Sequence, residues 1–239
     1  MKAVAIQVTL AILLAVNVQA QYSWNNLPII QQPVFKADSF NIKDFGAIAG
    51  GIQLNTQSIN KAIATCSSKG GGVVVIPQGL WLTGPVEMKS NVNLHLQASS
   101  MLLFTTDKSQ YAIVEGSYEG KAAARNQSPV WGNNLENIAI TGSGIIDGNG
   151  DAWRAVAKWQ MTKGEWNEKL ASGGVLNKDS SEWYPSKQFM DAKQNNTSML
   201  LDAGKSLNDF KTMKDFLRPN LIVLNNCQKV LLEGVVFQN

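Results

Sequence analysis

Short apolar runs recur along this chain in a fixed order, and the clearest copy lies in 134–150, NLENIAITGSGIIDGNG. Asn137-Ile138-Ala139-Ile140 is echoed upstream by Asn91-Val92-Asn93-Leu94 and downstream by Lys229-Val230-Leu231-Leu232. Within each copy the β-branched or leucine residues alternate, the two-residue period of a strand with one buried face. A second apolar run follows each copy: Met101 to Phe104, then Ile145-Ile146, then Val235 to Phe237. Short strands and polar turns at a constant register predict a solenoid of stacked β-coils.

The spacing sets the coil length. Val92 and Ile138 are 46 residues apart, and Pro129-Val130-Trp131 between them reads as the start of an intervening coil, so each coil takes about 23 residues. Ile138 and Val230 are 92 residues apart; setting aside the 68-residue non-β stretch 150–217 leaves 24, one coil with one long excursion.

The other elements follow in order. Pro28 and Pro33 mark 22–37 as an extended lead-in, and 39–46, SFNIKDFG, reads as a strand ended by glycine. Asn55-Thr56 is placed to cap a helix whose apolar face is Ile59, Ile63 and Cys66, stopped by Gly70-Gly71-Gly72. Such a helix would cover the open strand edge of the first coil. Val73 to Ile76 is a continuous apolar strand, Pro77-Gln78-Gly79 a turn, and Leu80-Trp81-Leu82 with Val86 continue the coil. In the excursion, Trp153, Val156 and Ala157 share a helical face, and Thr162-Lys163-Gly164-Glu165 matches a capping box. Trp166 and Leu170 follow, then Gly173-Gly174 as a stop. The segment 206–217 predicts a further helix with Phe210, Met213 and Leu217 inward, ended by Pro219.

Composition narrows the function. At 44% hydrophobic, 16% charged and net +3, the chain is of ordinary globular type, with no basic run to hold nucleic acid. A weakly basic groove for an acidic polysaccharide is compatible with that charge. Residues 1–20 have the form of an export signal: Lys2, a mostly apolar run, and small residues at Val18-Gln19-Ala20. The run is too short for a spanning helix, so the mature chain, 21–239, is expected outside the cytoplasm with no membrane span. Its location would be periplasmic or extracellular. Cys66 and Cys227 are read as unpaired small hydrophobes. His95, the single histidine, sits between inward Leu94 and Leu96 and so points outward, with no second ligand for zinc.

The excursion is rich in aromatics: Trp153, Trp159, Trp166, Trp183 and Tyr184. Some of these are candidates for stacking on sugar rings at one end of a groove, and for those on helices packing onto the coil is at least as good a reading. Trp183 and Tyr184, next to Pro185 and outside any predicted helix, are the better candidates for stacking on sugar rings.

Taken together, several motifs resemble a known group. Residues 40–47, FNIKDFGA, and 70–79, GGGVVVIPQG, are similar to the opening of pectate-lyase-like β-helices. Leu82-Thr83-Gly84-Pro85, the run 89–96 KSNVNLHL, Gly144-Ile145-Ile146-Asp147-Gly148 and Arg218-Pro219-Asn220-Leu221-Ile222 resemble the polygalacturonases of glycoside hydrolase family 28. The resemblance covers 40–239. It implies a right-handed, single-stranded parallel β-helix that hydrolyses α-linked galacturonic acid polymers with inversion and without cofactor or metal. Its substrate would be a pectic polysaccharide or oligogalacturonide, and the complete protein a monomer. Inversion needs one carboxyl group to protonate the leaving oxygen and another to activate water. The family's aspartates lie in Asn-Thr-Asp and Asp-Asp motifs, beside a Gly-His-Gly and an Arg-x-Lys, and none of these occurs here. No catalytic residue is therefore assigned, Asp147 in its glycine-rich turn included. The expectation is an N-terminal portion of the β-helix, incomplete at its C-terminus and inactive alone. Two alternatives stay open: a calcium-dependent pectate-lyase-like lyase, and a non-catalytic β-helix carbohydrate-binding module.

Overall fold

The computed structural model describes Leu27 and residues 29–238. The proposed export signal, 1–20, lies outside the described residues. Leu27 and residues 29–31 form a unit apart from the body that begins at Gln32, and they carry no helix or strand.

The body opens with β1 (Ser39–Asn41), shorter than the sequence implies because Ile42–Phe45 turns into a 3-10 helix closed by left-handed Gly46. Helix α1 (Thr56–Ser68) buries Ile59, Ala62, Ile63 and Cys66. Asn55 does not cap it. Its side chain accepts from Ile48 N at 2.8 Å and donates to Ile48 O, Gln53 O and Leu82 O, tying the preceding loop to the coil. The asparagine bonds the backbone as an N-cap residue would, but serves the loop instead of the helix.

Three parallel sheets then build coils in a repeating order. Coil one is β2 (Gly72–Ile76), β3 (Gly79–Thr83) and β4 (Val86–Glu87). Coil two is β5 (Val92–Leu96), β6 (Ser100–Phe104), a hairpin of β7 (Ile113–Tyr118) and β8 (Lys121–Asn126), and β9 (Val130–Asn133). Coil three is β10 (Glu136–Gly142), β11 (Ile145–Asp147) and, after a long insertion, β15 (Ile222–Asn225). The insertion holds β12 (Val156–Ala157), α2 (Lys163–Ala171), β13 (Val175–Leu176), β14 (Glu182–Tyr184) and α3 (Lys187–Gln194). Coil four begins with β16 (Gln228–Glu233) and β17 (Val236–Gln238). The first sheet runs β1-β2-β5-β10-β16, the second β3-β6-β11-β17 and the third β4-β9-β15.

This register corrects the coil count. Gly72 pairs with Val92, so an uninterrupted coil takes 20 residues. Leu94 pairs directly with Ile140, placing β5 and β10 on adjacent coils. The 46-residue interval is thus one coil interrupted by the β7–β8 hairpin, and Val130-Trp131 belongs to its third strand. The 92-residue interval is one coil, as the sequence implies.

Inward side chains stack in columns, of which Val74, Leu94, Ile140 and Leu232 form one. The first two are fully buried and Ile140 nearly so, while Leu232 on the last described coil is exposed. On the outer face of the same sheet, His95 Nδ1 lies 2.9 Å from Thr141 Oγ1, which donates to Asn93 at 2.9 Å. Gly142 and Gly234 stack at one corner: a Cβ on Gly142 would stand 2.0 Å from Leu96 O, and one on Gly234 2.3 Å from Gly142 O. Only glycine lets the backbones approach so closely there.

The insertion departs from its predicted helices at both ends. Val156–Ala157 pairs antiparallel with β14 instead of continuing a helix from Trp153, which is buried edge-on against Tyr111. Leu207–Phe216 is a 3-10 run broken at Met213, although Phe210, Met213 and Leu217 are buried as expected. Between them α2 has its capping box: Thr162 Oγ1 accepts from Glu165 N, and Glu165 accepts from Thr162 N. Cys66 and Cys227 are both free, the first buried and the second half-buried.

Candidate functional site

Both insertions leave the coil at the same corner, between the second and third sheets, and they pack on each other. Ala124 of the hairpin joins Ala192, Phe210, Met213 and Leu217 in a second apolar cluster apart from the coil interior. Asn126 pins the joint: its Nδ2 donates to Lys214 O at 2.8 Å and Leu217 O at 2.9 Å, and its backbone N to Leu217 O at 3.2 Å. Ala123 bridges Leu200 from the other side.

The hairpin half of this wall stands beside the outer face of the third sheet, and the two line a cleft of about 880 Å³ to which 150–217 contributes no lining residue, a volume ordinary for ligand sites. Trp131 and Val223, paired across β9 and β15, line its floor with Asn133 and Asn225, the next outward pair. Val130 and Gly132 are buried, so strand alternation turns the half-buried Trp131 outward. Gln127 and Asn220 add polar groups, and the hairpin contributes Glu115 and Arg125. Arg125 Nη2 donates to Asn220 Oδ1 at 3.0 Å, and its Nε is buried without an acceptor. Burial pushes this guanidinium below the usual arginine range; Tyr118 opposes that and the nearby Arg218 adds to it.

The sequence candidates lie elsewhere. Trp183 and Tyr184 are 5% and 3% exposed, inside the insertion's own three-stranded sheet. Trp183 Nε1 donates to Gly173 O at 2.7 Å, and Tyr184 Oη donates to Glu182 at 2.6 Å. Neither lines the cleft. Both rings are committed to packing and have no free face for a sugar. Trp131 is the aromatic that the sequence pattern does not single out, because Pro129-Val130-Trp131 reads as the opening of a coil and not as its third strand. Its alternation with Val130 and Gly132 is the signal that could have found it.

Glu115 is the one carboxylate among the described residues lining the cleft. An inverting hydrolysis needs two, roughly 6.5–9.5 Å apart. These residues can hold a polar chain but do not by themselves supply its hydrolysis. No group of three or more His, Cys, Asp or Glu side chains that could hold a metal comes together among the described residues.

Comparison with known proteins places this architecture. A family described as rhamnogalacturonase A/epimerase, pectate lyase-like, matches residues 39–230. The chain belongs to that family. Among curated proteins it is similar to an exo-poly-α-D-galacturonosidase of Dickeya chrysanthemi, 30% identical over 216 residues, covering 83% of this chain and 32% of that protein. It is 35% identical over 138 residues to a probable polygalacturonase of Vitis vinifera, covering 54% of this chain and 27% of that protein. The crystal structure of a hyperthermoactive exopolygalacturonase from Thermotoga maritima superposes with a TM-score of 0.60 at 27% identity, covering 87% of this chain and 43% of that one. The polygalacturonase-like character read from the motifs therefore holds, and the chain spans about a third or less of the curated relatives it matches.

Proposed function

We propose that this chain is the substrate-holding part of an exported glycoside hydrolase that cuts α-linked galacturonic acid polymers with inversion. The observation that carries the reading is the polar cleft floored by Trp131 on the outer face of the third sheet, in a polygalacturonase-like chain. A sugar ring stacks its apolar face on an indole while its hydroxyls bond Asn and Gln side chains at the rim. The hairpin walls that cleft on one side and is braced from behind by the long insertion, which supports attack at chain ends instead of chain interiors. The names of the Dickeya and Thermotoga relatives point the same way.

The test is product analysis of the protein that carries this chain. Polygalacturonate should release monomer from the first minutes, with the anomeric configuration of the new end inverted by NMR. A ladder of oligomers would overturn the end-attack reading. Cleavage of a rhamnogalacturonan backbone but not of polygalacturonate would overturn the substrate. A second reading, a carbohydrate-binding module without catalysis, is favoured by the single cleft carboxylate; binding of polygalacturonate without any release of reducing ends would establish it.

A further inference from the structure

Residues 32–38, ahead of β1, cross the coils at the corner where the third sheet passes into the first. At the first coil Asp38 O accepts from Val73 N at 2.8 Å, and Lys36 Nζ donates to Lys69 O at 3.2 Å. At the third coil Asn137 takes both backbone groups of Val34. Val34 N donates to Asn137 Oδ1 at 2.8 Å, and Asn137 Nδ2 donates to Val34 O at 2.7 Å. Four extended residues reach about 13 Å and two rung spacings take about 10 Å, so the segment spans coils one to three nearly taut.

The corner is shaped to receive it. Gly71, Asn91, Asn137 and Lys229 form one row by register, all left-handed, with φ of 98°, 65°, 60° and 50°. Asn91 Oδ1 accepts from Asn137 Nδ2 at 3.2 Å, which fixes the end of the Asn137 amide that meets the Val34 carbonyl. Gly70 and Gly72 keep the path clear: a Cβ would stand 2.5 Å from Lys36 Nζ on the first and 2.4 Å from Asp38 O on the second. Apolar burial adds little, because Val34 is 80% exposed and Lys36, Ala37 and Asp38 are exposed as well. The hold is therefore polar and concentrated on one amide, and a fastening with so little buried surface opens readily. Its place matters for the cleft. Asn137 lies four residues past Asn133 of the cleft floor, and the hairpin joint at Asn126 lies four residues before β9 begins.

We infer that 32–38 is a releasable strap: latched on Asn137 it fixes the exit edge of the cleft floor, opposite the hairpin joint, and unlatched it lets that edge loosen. The inference does not depend on which polymer the cleft takes. Hydrogen exchange and limited trypsin digestion of the protein that carries this chain test it. Asn137→Gly removes the amide and keeps the left-handed backbone. It should raise cleavage after Lys36 about tenfold, the worth of two hydrogen bonds, and speed exchange in 33–38 and 130–136. Val34→Pro deletes one of the two bonds from the strap's side and should move both readouts in the same direction by less. Because it leaves the coil unaltered, faster exchange in 130–136 in that variant reports the strap alone. Asn134→Gly, in the same turn but bonded to Asn226 instead of the strap, should leave 33–38 unchanged. Cleavage and exchange untouched by both Asn137→Gly and Val34→Pro would overturn the latch. A strap loosened by Val34→Pro with 130–136 unmoved would overturn its hold on the cleft edge.

Discussion

Asn126→Ala tests whether the two insertions are fastened to each other by a specific polar joint. The change deletes two side-chain hydrogen bonds, to Lys214 O at 2.8 Å and Leu217 O at 2.9 Å. Neither carbonyl is orphaned, because Lys214 O still accepts from Leu217 N at 3.1 Å and Leu217 O from Asn126 N at 3.2 Å. The full penalty for a buried unpaired group is therefore avoided, and the loss is the net worth of two bonds, about 1 kcal/mol each. Asn126 Oδ1 is buried without a donor, and its removal offsets part of that loss. The expected cost is about 1–2 kcal/mol, a roughly 5- to 30-fold rise in local opening. Hydrogen exchange read by mass spectrometry should show faster exchange in peptides from 113–126 and 199–217, with 72–104 unchanged. Unchanged exchange throughout would mean the apolar cluster alone holds the joint, and a uniform increase would mean the insertions are not a separate layer.

Three further outcomes are expected. Burial, with a smaller contribution from Asp38, pushes the Cys66 thiol from 9.0 up to about 11; the unfolded chain releases that proton first, so stability is level below about pH 9 and falls from there to about 11. Urea melts at pH 8 and 10.5 should differ less for Cys66→Ala than for the unaltered chain, and an equal difference would refute the assignment. Thr162→Ala removes one side of the α2 capping box and should cost about 1 kcal/mol, seen as faster exchange confined to 163–171. Replacing 150–217 by a short flexible link, in the protein that carries this chain, should shift products from monomer to mixed oligomers; an unchanged product profile would show that the insertion only packs.

The coil strands were legible because their alternation is local: Val92, Leu94 and Leu96 are buried as the two-residue period requires. Helix α1 was legible for the same reason at a longer period, apart from its cap, where Asn55 had several backbone partners to choose from. The β7–β8 hairpin was not legible. Its second strand, KAAARN, carries three alanines, poor strand formers, and its partner is a neighbouring strand of equally weak pattern. Missing it added a coil to the count and hid the facing of Trp131. Trp183 and Tyr184 misled because exposure is a tertiary property. A Cβ on Gly174 would stand 2.6 Å from the Trp183 ring, so a glycine nine residues before the tryptophan makes room for its ring.

In a stack of coils each rung normally senses only the rungs above and below, so such a chain can come apart one rung at a time. The joined insertions alter that sequence of events here. One belongs to the second coil and the other to the third, and Asn126, the Ala123–Leu200 bridge and the cluster around Phe210 link them outside the stack. A pulling force that reached the third coil would have to break this outer fastening before it could peel the third sheet. The two coils that floor the cleft should therefore yield in a single step, keeping Trp131 and Val223 in register until both are lost.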